Sequence, residues 1–256
     1  MEQRFLLEID DLRIPVKLTQ NDFGRPNRII LGVHGLGGST EDAIQTTLAE
    51  EMVFFSCDTI QFDFPAHGEN PCGEMSLDKC MRTLKAVAAY ARQQYPDVED
   101  LCIFATGFGA YVTLVVLDEL LEMPGTVKLV VQTPSVVMHE TILAMKRISR
   151  ETLWAMDRVN FAAPRPFDLT YSFYEELVDH LALVTHPIPM LILHGEEDSY
   201  IKMDHIRQFH RINHDSKLVI IPGTSHKFLE EGAWDMVLDL TRDWFEFQQV
   251  LLADCM

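Results

Sequence analysis

One stretch limits the folds open to this chain more than any other: Leu101–Leu114, LCIFATGFGAYVTL. An apolar run ends at Phe104, a cluster of mostly tiny residues follows, and a second apolar run starts at Tyr111. That order reads as a buried strand, a very sharp turn and a helix. The small residues let the start of the helix come back against the strand without collision. Gly107 falls at the tip of the turn. A tip held at positive φ costs a non-glycine residue about 1–3 kcal/mol, whereas glycine adopts that conformation without a Cβ penalty. A phosphate-binding turn in another α/β protein uses a similar cluster, so this stretch alone leaves two readings open.

The rest of the chain narrows them. Residues 3–9 and 12–19, joined by Asp10-Asp11, read as a strand hairpin. Residues 28–33 and 57–62 read as short buried strands. After the first, Ser39 or Thr40 is expected to cap a helix with Glu41 and Asp42 in its first turn. Ser76 opens a helix to about Tyr95, with apolar residues at Leu77, Met81, Leu84, Val87, Ala88 and Ala91. The helix after the Gly107 turn runs to about Leu121. Further strands are expected at 127–131, 187–193 and 217–221, and a last helix from near Gly232 to about Val250. Strands alternating with helices predict a mostly parallel sheet covered on both faces, an α/β fold.

Residues 135–186 break the alternation. They hold two or three helical patterns around Pro164-Arg165-Pro166 and many large side chains, among them Met138, Trp154, Phe161, Phe167, Tyr171, Phe173 and Tyr174. The reading is a core of residues 1–134 and 187–256 with a helical lid, 135–186, inserted between two strands. Most of those aromatics pack the insertion onto the body. Trp154, Phe161, Phe167 and Tyr171 are the candidates to line an apolar pocket beneath it.

Composition excludes several partners. A net charge of −18 repels phosphate backbones, which argues against nucleic acid. No run approaches the roughly 20 apolar residues that span a bilayer. Met1-Glu2-Gln3-Arg4 leads directly into Phe5-Leu6-Leu7, with no secretory signal visible, so a cytoplasmic location is expected. Cys57, Cys72, Cys80, Cys102 and Cys255 are odd in number and lack C-x-x-C spacing, as free thiols in a reducing compartment would be.

Five motifs then fall at strand ends. Ala105-Thr106-Gly107-Phe108-Gly109 fits the frame of a G-x-S-x-G nucleophile elbow, with Ala105 and Gly109 on its glycines and Gly107 where serine stands. His34-Gly35-Leu36-Gly37-Gly38 resembles an H-G-x-x-G oxyanion loop. His194-Gly195-Glu196-Glu197-Asp198-Ser199-Tyr200-Ile201 looks like an H-G-x-x-D acid loop, and Pro222 to Phe228, PGTSHKF, like a histidine loop. Asp63-Phe64-Pro65-Ala66-His67-Gly68 resembles a D-x-x-G-H-G loop, with Ala66 departing from glycine. In this order and placement the chain resembles the α/β-hydrolase superfamily over nearly its whole length. Within it, the small lidded serine esterases, monoacylglycerol-lipase-like and feruloyl-esterase-like hydrolases are the most similar.

The resemblance implies specific roles. His226 would be the general base and Asp198 the residue that orients it, while the backbone N–H groups of Leu36 and Phe108 would form the oxyanion hole. Gly107 would occupy the nucleophile position without a hydroxyl. Thr106 is one residue short of the tip and its side chain is expected to project elsewhere. His34, His67 and His194 each precede a glycine at a strand end, which suits a structural hydrogen bond; no metal and no cofactor are expected. The partner expected is a small-molecule ester or related apolar ligand. Three functional readings follow: an esterase-type site for small carboxylic esters with little or no turnover, a naturally non-catalytic ligand-binding or regulatory protein, and a His-Asp enzyme that activates water or a substrate proton directly.

Overall fold

The computed structural model describes residues 1–163 and 165–253, with side chains through residue 246, so Pro164 and the expected thiol Cys255 lie outside the described residues. One sheet holds β1 (Glu2–Ile9), β2 (Leu12–Thr19), β3 (Arg28–Val33), β4 (Cys57–Phe62), β5 (Asp100–Thr106) and β6 (Thr126–Gln132). After a small separate hairpin, β7 (Arg158–Phe161) and β8 (Phe167–Thr170), the sheet resumes with β9 (Met190–Gly195) and β10 (Lys217–Ile221). The strand order is β1-β2-β4-β3-β5-β6-β9-β10. Strands β1 and β2 pair antiparallel, β2 meets β4 antiparallel, and every other pairing in this sheet is parallel.

The helices are α1 (Ala43–Met52), α2 (Leu77–Gln94), α3 (Gly107–Val115), α4 (Leu117–Leu121), α5 (Met138–Lys146), α6 (Arg150–Met156), α7 (Tyr171–Asp179), α8 (Met203–Ile212) and α9 (Ala233–Ala253). Alternation along the central strands divides the core in two. Leu101, Ile103 and Ala105 of β5 pack with Leu84 and Val87 of α2 and Leu114 of α3. Cys102 and Phe104, on the opposite face, pack with Leu48 of α1 and Val237 of α9. Both faces are therefore covered, which is why β5 is apolar at every position from Leu101 to Ala105. This is the α/β arrangement expected from the alternation of strands and helices.

Four local details differ from the sequence reading. Helix α1 begins at Ala43, with Asp42 as its N-cap residue. Thr40 is engaged elsewhere, its N–H donating to Asp63 Oδ1 at 2.8 Å, and Ser39 Oγ accepts from the Glu41 amide at 3.1 Å, so the chain stays in a turn there. The helix after Gly107 is interrupted at Val116. Strand β9 starts at Met190 because Pro187 and Pro189 lack the N–H that a ladder needs. Helix α8, with Ile206 and Phe209 buried, fills a segment to which no element was assigned.

The connection from β6 to β9 contains α5, α6 and α7, and also the β7–β8 hairpin. The hairpin arises because Phe161 and Phe167, and Val159 and Leu169, fall opposite each other and alternate with polar residues. The four cysteines among the described residues are free. Cys57 and Cys102 are buried; burial pushes the Cys57 thiol up to about 11 and that of Cys102 higher still.

Candidate active site

The turn after β5 is as tight as its small residues imply. Gly107 has φ +49°, in the left-handed region, at the first residue of α3. A Cβ at Gly109 would lie 2.3 Å from the carbonyl oxygen of His34 and 2.8 Å from that of Val33. Both are backbone atoms of the adjacent strand end, so only glycine lets α3 approach β3 this closely. Gly107 is different. A Cβ there would meet nothing nearer than Gly35 Cα and His226 Nε2, each at 3.9 Å. A side chain at the tip would thus point into open space beside the imidazole. Thr106 does not substitute: its hydroxyl donates to the Val33 carbonyl at 3.4 Å.

The imidazole is held by the loop after β9. His226 Nδ1 donates to Asp198 Oδ2 at 2.8 Å. The Asp198 side chain is fully buried, and its Oδ1 accepts from the amides of Tyr200 (2.8 Å) and Ile201 (3.0 Å). Burial on its own would raise the Asp198 pKa; the His226 hydrogen bond, its charge and the two amides together outweigh burial and hold the carboxyl below its usual range. With Nδ1 committed as a donor, Nε2 of the neutral ring is the acceptor, and it faces Gly107. The Tyr200 ring lies edge-on to His226, centroids 5.2 Å apart. Glu196 accepts from the Gly223 amide at 3.0 Å instead of reaching the imidazole.

The loop after β3 supplies the opposite side. Gly38 N–H donates to the Gly35 carbonyl at 3.0 Å, closing the turn. His34 is buried beneath it: its Nδ1 donates to the Gly35 carbonyl at 2.8 Å and its Nε2 accepts from the Phe64 amide at 3.1 Å. Burial lowers its pKa to about 4, so the ring is a neutral brace. His67 is similar, with Nδ1 donating to the Pro65 carbonyl at 2.8 Å and burial lowering its pKa to about 3. His194 sits behind the acid, Nδ1 3.9 Å from Asp198 Oδ2, and burial lowers its pKa too. The amides of Leu36 and Phe108 have no acceptor among the described residues; Phe108 is the second residue of α3, where a helix leaves its N–H groups free.

These groups border one cavity of about 280 Å³. Leu36, Gly107, Phe108 and His226 are all in its wall. Met138 and Met145 of α5, with Ile201, form an apolar side, and Gln132, Thr133 and Ser135 at the end of β6 form a polar one. The four aromatic candidates lie elsewhere. Trp154 is 67% exposed on α6. Phe161 and Phe167 are buried and stack on each other at 5.1 Å, Phe167 also resting against His67. Tyr171 is half-buried, its hydroxyl accepting from Arg150 Nε at 3.2 Å. None of the four is in the cavity wall. The wall residues that sequence reasoning did not single out include Gln132, Ser135, Met145 and Trp234. The pair Gln132-Thr133, polar residues ending an apolar strand, was the one visible signal. No cluster of three metal-ligating side chains occurs among the described residues.

No family model matches the sequence, and no curated protein is similar to it in sequence. Solved structures are similar in fold. Est1E from Butyrivibrio proteoclasticus, with ferulic acid bound, superposes with a TM-score of 0.83 at 17% identity, over 96% of this chain and 99% of that one. A soluble variant of monoglyceride lipase from Saccharomyces cerevisiae, in complex with a substrate analogue, gives 0.76 at 14% identity over 96% and 95%. Mouse α/β-hydrolase domain-containing protein 10 gives 0.73 at 15% identity over 94% and 97%. This chain has the α/β-hydrolase fold. Among its described residues no helix is long and apolar enough to cross a membrane.

Proposed function

We propose that this chain is an esterase-type protein that binds a small carboxylic ester and, with Gly107 at the nucleophile position, turns it over little or not at all. The reading rests on one observation above the others: the Cβ position of Gly107 is 3.9 Å from Nε2 of an imidazole whose Nδ1 is bonded to a buried carboxylate at 2.8 Å. A base and its orienting acid are aimed at the tip of the turn, where Gly107 has no side chain. In this reading the Leu36 and Phe108 amides hold the ester carbonyl oxygen, which needs no side chain and survives the glycine. Met138, Met145 and Ile201 receive the apolar part of the ligand, and residues 135–186 act as a lid over it. Removing the serine of such a triad costs about 10⁶ in turnover and leaves roughly 10³–10⁴ over water. Free thiols suit a reducing compartment such as the cytosol.

Ligands in two similar structures, ferulic acid and a substrate analogue, are consistent with an acyl compound here. The test is Gly107→Ser, assayed with short-chain aryl esters and with a serine-directed fluorophosphonate. Hydrolysis and labelling are expected; inertness to both across a range of acyl lengths removes the reading. For the chain itself, an ester that raises the melting temperature without releasing product is the expected signature of binding.

A further inference from the structure

Two side chains in the cavity wall carry buried polar atoms without partners. Strand β6 is aliphatic at Val127, Leu129, Val130 and Val131, and all four are buried. Its interior charge is fully matched, Lys128 pairing with Asp100 at 2.8 Å and donating to the Phe245 carbonyl at 2.9 Å. The end of the strand is not. Gln132 is 3% exposed and its Oε1 has no hydrogen-bond partner; Ser135 is 2% exposed and its Oγ has none either. Other buried polar atoms lack partners as well, Gln45 and Gln61 among them, but of the described residues in that condition only Gln132 and Ser135 are in the wall of the cavity beside Gly107.

Both sit close to the tip. Gln132 pairs in register with Thr106, and the Ser135 amide donates to the Gly107 carbonyl at 3.3 Å. A buried polar atom without a partner is destabilising, and an aliphatic residue at either place would avoid that. Water satisfies such atoms in many proteins, and a ligand that supplies the same bonds gains by releasing the water it replaces. A carboxamide and a hydroxyl each offer a donor and an acceptor. Both oxygens are closed off from the cavity as the side chains stand, so a change of rotamer at each turns it toward a ligand hydroxyl, which matches both.

We infer that Gln132 and Ser135 form a specificity subsite, so that the ester this cavity takes carries a hydroxyl close to the ester group. The inference rests on the ester-binding reading given above and names the class of ester. It makes the pair binding residues that recognise the ligand without taking part in acyl transfer.

The test uses the chain as it exists and two pairs of isosteres in which a hydroxyl replaces a methyl. Ethyl lactate is compared with ethyl isobutyrate for the acyl side, and glycol monobutyrate with propyl butyrate for the alcohol side. Dissociation constants come from NMR titration. In at least one pair the hydroxylated ester is expected to bind at least tenfold tighter, about 1.4 kcal/mol. Ser135→Ala combined with Gln132→Leu is expected to bring that ratio near one while the ester without the hydroxyl keeps its affinity. Measurable binding with ratios near one in both pairs overturns the subsite and leaves the ester-binding reading standing. No binding by any of the four overturns both. Ser135→Ala alone also separates ligand recognition from structure: a melting temperature equal to or above that of the parent is expected, and a clear drop shows that the hydroxyl supports the fold, which overturns the assignment.

Discussion

Gly107→Ser has two consequences that follow from the same geometry, and they have opposite signs. Nothing lies within 3.9 Å of the new Cβ, so the side chain enters without collision. From that Cβ, a hydroxyl directed at His226 Nε2 falls within the hydrogen-bond reach of about 2.6–3.2 Å at which a base activates a nucleophile. The expected gain in kcat on a suitable ester is large, up to about 10⁶ over the glycine form. Stability moves the other way. At φ +49° the serine carries left-handed strain of about 1–3 kcal/mol that glycine does not. For a chain of this size that corresponds to a melting temperature lower by roughly 2–12 °C. Ester hydrolysis and fluorophosphonate labelling report the first effect, and thermal denaturation of both forms at one pH reports the second. A serine form that is both inert and more stable would refute the reasoning, because it would mean that the tip is neither strained nor aimed at the imidazole.

Three further outcomes are expected. In the serine-bearing form, Asp198→Asn should lower kcat by about 10⁴, because the imidazole loses the partner that fixes its tautomer; retention of activity within tenfold would remove Asp198 from that role. His34 and His67 have pKa values lowered to about 4 and about 3, so between pH 6.5 and those values the unfolded chain binds protons that the folded chain does not. Stability contributed by the neutral rings is therefore lost as pH falls below 6.5, by about 2 kcal/mol for each ring at pH 5. Ring resonances of both that stay untitrated down to pH 5, with a falling melting temperature, are expected; titration near pH 6.5 would contradict the burial argument. Gly109→Ala should destabilise by about 1–3 kcal/mol or more, since its methyl would meet two backbone carbonyls. An unchanged melting temperature would mean that α3 can back away from β3.

What the sequence disclosed, and what it hid, follow from where each constraint acts. The elbow was legible because a close backbone approach excludes side chains: Gly109 has His34 and Val33 carbonyls where a Cβ would be, and such a demand is written directly as residue type. The loops of His34, Asp198 and His226 were legible because each ends a strand whose apolar run is itself visible. The cavity wall was not, because it is assembled by the packing of α5, α9 and β6, and packing angles leave no mark in a residue string. The aromatic pocket candidates of residues 135–186 fall outside the cavity wall for a physical reason. Phe161 and Phe167 are large, and the β7–β8 hairpin uses that size to bury its own inner face, with the two rings stacked at 5.1 Å.

A different signal would have served better at β6. If packing alone governed that strand, aliphatic residues would extend to its last position, since each buried polar group without a partner lowers stability. Instead the run Val127 to Val131, broken only by the paired Lys128, ends in Gln132-Thr133, with Ser135 two residues on. A polar residue at the carboxyl end of a central parallel strand, where the sheet opens toward a ligand crevice, carries information that the same residue at mid-strand does not. Mid-strand, no ligand can reach it: Lys128 is matched inside the protein by Asp100, and Gln61 of β4 stays without a partner. At the strand end it can be matched from outside, so the unmatched Gln132 and Ser135 belong with the ligand more than with the fold.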